Sequence, residues 1–437
     1  MKLKRELGLF EATVYGVGVI LGAGVFALIG QAAGMTGNSL WISFVVSAFI
    51  AVFTGLSYAE LSSMYPKAAA EFFYVKKAYG SEFWAFLVGW LLIFTTAVAV
   101  ATVSLGFSGY LTEILNFTVQ NQTQITILIA IVLLVLLTFI NFYGIKESSH
   151  FNVVFTAIEL LGLFTVIVLG LWRATTSPHI NYFETTNGLS GIFSAATLVF
   201  FAYLGFEDVV NISEETKTPR KLIPLALLLS IVITTLIYVL ISISVVNLAS
   251  WQELSASPAP LALAASKVLG NNAFLFISFA ALSATASTSL ILLIVASRML
   301  YGMAQEGSFP KILSKIHLKR RTPYMAAIAM MLLSMAFVFV GNITSVAKIT
   351  SMCSLLAFSA VNLSLIHLRF MRPDIKREFK TPFNIGKFPL TAFFGVISCM
   401  MLMAYFDLEM ILFSLAVLFA GSIFFVAYKV RKSKKRV

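Results

Sequence analysis

Two short stretches carry residues whose types and spacing could do chemistry: VGVILGAGVFALIG (17–30), with Gly22 and Gly24, and LVFFAYLGFEDVV, with Gly205, Glu207 and Asp208. A glycine pair lowers the cost of leaving helical backbone and removes side chains, so a small ligand can reach main-chain groups. If the chain unwinds here, the amides of Ala23, Gly24 and Val25 head a second helical half. There, free N–H groups and the helix dipole favour an anion such as a carboxylate. The carbonyls of Ile20 and Leu21, ending the first half, favour a cation such as an ammonium. A zwitterion fits between them. Taken alone, the first motif is equally compatible with close packing against a neighbouring helix.

Further polar groups bear on coupling. Glu159, in FTAIELLGLF, has no basic residue within a helical turn; such a carboxyl is a candidate proton carrier, or a structural group bonded to a neighbour. In LSATASTSL, Ser283, Thr285, Ser287 and Thr288 offer oxygens to an ion or to Glu159, or bond back to their own backbone. Of Glu207 and Asp208, one suits a cytoplasmic vestibule and the other a cap or a pair with a basic loop residue. Phe200, Phe201 and Tyr203 immediately precede Gly205, and one of them could cover a ligand as a thin gate.

These residues need long apolar elements to hold them. The chain has 437 residues, 59% hydrophobic and 11% charged, with a mean hydropathy of +0.92. Apolar runs of about 20 residues recur throughout, predicting an all-α integral membrane protein. Twelve spans are expected, at 10–32, 40–64, 84–111, 123–144, 151–173, 190–211, 223–249, 272–301, 323–341, 346–369, 388–406 and 408–429. All Lys and Arg except Arg173, Lys267 and Lys348 then fall on alternate loops and at both termini. The positive-inside rule makes that side, with both termini, cytoplasmic. The glycine motifs lie in spans 1 and 6, five spans apart. Because five is odd, a repeated five-span unit enters the membrane in opposite orientations, and paired interruptions in such halves point to a midplane site in a transporter. The expected organisation is one membrane domain over 1–437. It comprises a first repeat at 10–173, an inverted second repeat at 190–369, two extra spans over 388–429 and a basic tail at 430–437.

Composition and motifs argue against other classes. The net charge of +12 is spread over loop ends and not gathered in one patch, which disfavours nucleic acid. His150, His179, His317 and His367 lack a His or Cys partner at metal-ligand spacing, so neither a metal nor another cofactor is expected. No GxxxxGK[ST] occurs. Cys353 and Cys399 fall inside spans as packing residues. The sequons at Asn116, Asn121 and Asn342 fall in external loops. The first run is too long for a signal peptide and lacks a small-residue cleavage site. The tail YKVRKSKKRV suits anchoring at an anionic leaflet or a weak regulatory role. No obligate protein partner is evident.

Five motifs then stand in register: GVILGAGVF, GLSYAELSSMYPKAAAEFFYVKKAYG, FFAYLGFEDVVNISEETKTPRKLIP, SRMLYGMAQEGSFPKILSKIHLKRRTP and LLAFSAVNLSLIHLRFMRPD. Together they resemble the amino acid, polyamine and organocation transporter superfamily, over the chain up to the basic segment before span 11. The resemblance implies two inverted five-helix repeats plus two extra helices, with spans 1 and 6 discontinuous. It also implies secondary active transport of an amino acid across the cell membrane by alternating access, as proton symport or as exchange. A polyamine or organocation transporter and a non-transporting amino acid sensor are the other readings.

Residue by residue, Gly22, Ala23 and Gly24 match the unwound segment whose amides hold the substrate carboxylate. Phe200, Phe201 and Ala202 match the segment whose carbonyls receive the amine, with Phe201 at the gate position. Glu207 matches an acid implicated in coupling in some relatives. Several proton-coupled or exchanging relatives carry a lysine in span 5, whose ammonium stands in for sodium. Here that position is Glu159, or Ala157 in a shifted register. A glutamate there could bind a proton, attract a cation or meet a cationic substrate. Ala69 and Ala70 replace glycines found in many relatives after Pro66 and Lys67. The acids suit a cationic side chain and the abundant Phe a neutral one; neutral or broad specificity is the expectation.

Overall fold

The computed structural model describes residues 7–66, 70–115, 122–143, 145–176, 180–214, 216–318, 320, 322–340 and 342–434, the side chains of 122, 143, 145–153, 211, 214 and 431–434 excepted. Lys2, Lys4, Arg5, Lys67, Ala69, Asn116, Asn121, His179, Lys319, Arg321, Lys435 and Arg436 lie outside the described residues. So do the side chains of Lys146, His150, Arg431, Lys432 and Lys434.

The described chain is mainly helical. In order come α1 (Leu9–Thr36), α2 (Leu40–Met64), α3 (Ala70–Tyr79), α4 (Glu82–Ile114), α5 (Gln122–Tyr143), α6 (Ile145–Thr176), α7 (Gly188–Val199) and α8 (Pro219–Leu248). There follow α9 (Trp251–Ala256), α10 (Pro260–Leu269), α11 (Asn271–Gln305), α12 (Tyr324–Val338), α13 (Ile343–Met371), α14 (Leu390–Met403) and α15 (Leu408–Lys434). A small antiparallel pair, β1 (Asn384–Ile385) and β2 (Phe388–Pro389), precedes α14.

Among the described residues, nine runs are long and apolar enough to cross a membrane. The first, Leu9–Met64, contains both α1 and α2, joined through a 3-10 turn at Gly37–Ser39. The helices coinciding with spans 9 and 11, α12 and α14, have only 15 and 14 residues. Span 5 was expected from 151, but α6 starts at Ile145: polar residues ahead of the apolar run continue the helix, and hydropathy does not register them. The short helices α3, α9 and α10 were not foreseen. Ser250 caps α9, accepting from the Glu253 amide, and Pro260 starts α10.

Helix α4 forms the centre of the bundle: 89% of its most apolar window is buried, against 17% for α15, which therefore lies at the periphery. Cys353 and Cys399 are free thiols at packed positions, each near a hydroxyl, Ser414 and Thr54 respectively. Asn342, read as part of a sequon, is the N-cap of α13 and accepts from the amides of Thr344 and Ser345.

Candidate functional site

Helix α1 leaves helical backbone at one residue, Gly22 (φ 16°, ψ −160°), so Ala23 begins its second half. Span 6 breaks more extensively. Helix α7 stops at Val199 and a 3-10 segment covers Phe200–Tyr203. Leu204 is extended (ψ 139°), Gly205 takes φ 113°, and a second 3-10 segment runs Phe206–Glu214. That φ lies in the left-handed region where a side chain is strained, which explains glycine at 205.

The two breaks face each other. A Cβ on Gly24 would lie 2.7 Å from the Ala202 Cα, and one on Gly205 would lie 2.8 Å from Val19. Residue 24 lies opposite 202 and 19 opposite 205, so the broken segments run antiparallel. This corrects the reading of Gly24. Its missing side chain is required by contact with the Ala202 backbone, whereas the departure from helix occurs at Gly22 alone.

Main-chain groups at the breaks have partners that sequence did not announce. The Ala23 amide donates to Thr288 Oγ1 at 3.2 Å, and the same hydroxyl fills the space beside Gly22. The carbonyl oxygens of Ile20 (2.6 Å), Leu21 (3.2 Å) and Ala202 (2.7 Å) converge on the hydroxyl of Tyr238, from α8. One hydroxyl proton serves one acceptor at a time, so this set retains capacity for another donor. Tyr238 was missed because a tyrosine in an apolar run carries no distance-independent signal; only the fold brings it to residues about 36 and 218 positions away.

A cavity of about 60 Å³ lies beside the breaks, lined by residues of both. Of the expected site residues, Ile20, Gly22, Ala23, Gly24, Phe201, Ala202, Glu207 and Thr288 line it, while Leu21, Val25, Phe200, Glu159 and Ser287 do not. Phe200 packs edge-on against Phe358, and Tyr203 donates to the Phe44 carbonyl, which leaves Phe201 as the aromatic facing the space. Ser283 and Thr285 bond back to Phe279 and Ala281 in their own helix. Glu159 is 2% exposed, with one carboxylate oxygen buried and unpartnered; Tyr238 lies within its electrostatic reach.

On the side of α3, three carboxylates enter the lining: Glu71, Glu207 and Asp208. Glu207 accepts from the Gly205 amide at 2.9 Å, capping the break, and both acids of the Glu207–Asp208 pair face the cavity. Glu71, from α3, had no role in the sequence reading. Burial pushes its carboxyl up to about 7, opposed by its own backbone amide, with nearby Asp208 adding to the rise. Another buried acid sits elsewhere. Glu60, at the end of α2, is paired with Arg369 and Arg377 and accepts from the Thr381 amide at 2.9 Å.

Residues 7–429 match the amino acid permease family. The branched-chain amino acid permease BcaP of Bacillus subtilis is 30% identical over 446 residues, covering 99% of this chain and 94% of the relative. The vacuolar cationic amino acid transporter 4 of Arabidopsis thaliana is 28% identical, over 85% of this chain and 64% of its own length. The human cystine/glutamate transporter is 29% identical, over 91% and 80%. Their names are those of a permease and two transporters, for branched-chain amino acids, cationic amino acids, and cystine and glutamate respectively. With this match over nearly its whole length, the chain belongs to the amino acid permease family of the amino acid, polyamine and organocation superfamily.

Proposed function

We propose that the protein is a secondary active transporter of amino acids, working by alternating access around the paired breaks of α1 and span 6. The observation that carries this reading is the antiparallel apposition of the two breaks across one cavity. The amides of Ala23, Gly24 and Val25 receive the substrate carboxylate once Thr288 yields its contact with Ala23. The carbonyls of Ile20, Leu21 and Ala202 hold the amine with Tyr238, and Phe201 gates the space.

The nine long apolar runs, with α1 and α2 counted separately and α12 and α14 added, fit twelve spans. We assign 10–173 and 190–369 to inverted repeats, and both termini to the cytoplasm of a cell membrane. Coupling to protons runs through Glu159, whose buried oxygen lacks a partner, and Glu207.

The test is uptake of labelled amino acids by the purified protein in liposomes. Accumulation raised by an inward proton gradient, and no longer responding to it in Glu159→Gln, is the expected result. Uptake that depends only on internal amino acid makes the protein an exchanger, and absence of flux despite binding makes it a sensor.

A further inference from the structure

The cavity extends well past the breaks. Its lining runs along α4 from Val103 to Leu92 and along α11 from Thr288 to Met299, each stretch about 16 Å of helix. Glu71, Glu207 and Asp208 share this lining with the breaks. No lysine, arginine or histidine lines it among the described residues. Glu71 is 2% exposed and Asp208 7%. Thr95, also in the lining and 6% exposed, has a buried hydroxyl without a hydrogen-bond partner.

Glu207 lies within a side chain's length of the breaks, and Glu71 lies within its electrostatic reach. Glu207 is held on the Gly205 amide, and Gly205 packs on Val19, three residues or about 4.5 Å of helix before Gly22. An apolar side chain entering from the breaks would face carboxylates with carbon, which costs desolvation without returning a hydrogen bond. An ammonium on a three- or four-carbon chain would instead form charge-assisted bonds to them.

We propose that the site takes an amino acid whose side chain ends in a cation, its ω-ammonium received by Glu207 and Glu71 with the Thr95 hydroxyl as a further acceptor. This rests on the reading of the cavity as an amino acid site, and it departs from the neutral or broad specificity expected from sequence.

The test compares L-lysine, L-norleucine and Nε-acetyl-L-lysine as thermal stabilisers of the full chain in detergent. Norleucine keeps the carbon chain without the amine, and the acetyl derivative keeps the nitrogen without the charge. Lysine is expected to stabilise at concentrations at least about tenfold lower than either. Norleucine acting at equal or lower concentration overturns the inference while leaving the amino acid site standing; no stabilisation by any common amino acid overturns both. In Glu71→Gln the preference for lysine over norleucine should fall about tenfold or more, and an unchanged ratio removes Glu71 from recognition. Should that variant fail to fold, the three-ligand comparison on the unmodified protein still decides.

Discussion

Glu60 and Glu71 sit eleven positions apart, both almost wholly buried, in opposite surroundings. Glu60 has its charge matched by two arginines and a backbone amide; Glu71 faces a cavity lined by further acids and no base. A buried carboxylate with its bonding capacity filled holds structure together, here the end of α2, the end of α13 and the segment before α14. One whose charged neighbours are other carboxylates is available to a ligand or a proton.

The comparison breaks if the two acids respond alike to mutation. The largest effect is expected at Glu60. Glu60→Ala leaves the buried Arg369 guanidinium and the partly buried Arg377 without their carboxylate and should cost about 3–5 kcal/mol, read as a collapse of thermal stability in detergent. An unchanged melting temperature would make the network incidental.

Glu71 should show the opposite sign. Its carboxyl is held protonated up to about 7 in the folded chain, against 4.5 for an ordinary carboxyl. Below pH 4.5 both states are protonated and stability is at its full value. As pH rises from 4.5 to about 7, the unfolded chain ionises first and stability falls, by about 3 kcal/mol in all. Glu71→Gln should flatten that slope, measured as melting temperature against pH. A slope persisting in the variant would assign it to another group.

Gly24→Ala sharpens the description of the breaks, at about 1–3 kcal/mol. Its Cβ would press on the Ala202 backbone, so reduced stability should accompany reduced transport. Lost transport at full stability would return Gly24 to a purely recognitional role.

The parts legible in sequence were those with local signals. Long apolar runs gave the helices, and glycines inside them located both breaks to within a residue or two: Gly22 is the only non-helical residue inside α1, and Gly205 carries the turn after Tyr203. The parts that were not legible depend on contacts far apart in the chain. Glu60 meets Arg369 from 309 positions away, and Thr288 reaches Ala23 across 265. Tyr238 sits in a stretch with no unusual local pattern, Glu71 inside a family motif that assigns it no partner, and only packing makes them neighbours of the breaks. Of the carbonyls read as an amine site, Ile20, Leu21 and Ala202 converge on the Tyr238 hydroxyl, whereas the Phe201 carbonyl is taken by the Leu204 amide inside the 3-10 segment.

The opposed breaks of α1 and span 6 are proposed to form the amino acid site. An experimental structure with a bound amino acid tests this most directly. The expected structure has a carboxylate within hydrogen-bond distance of the Ala23, Gly24 and Val25 amides and an amine at the Ile20, Leu21 and Ala202 carbonyls. An amino acid bound elsewhere, with Thr288 still on the Ala23 amide, would contradict it.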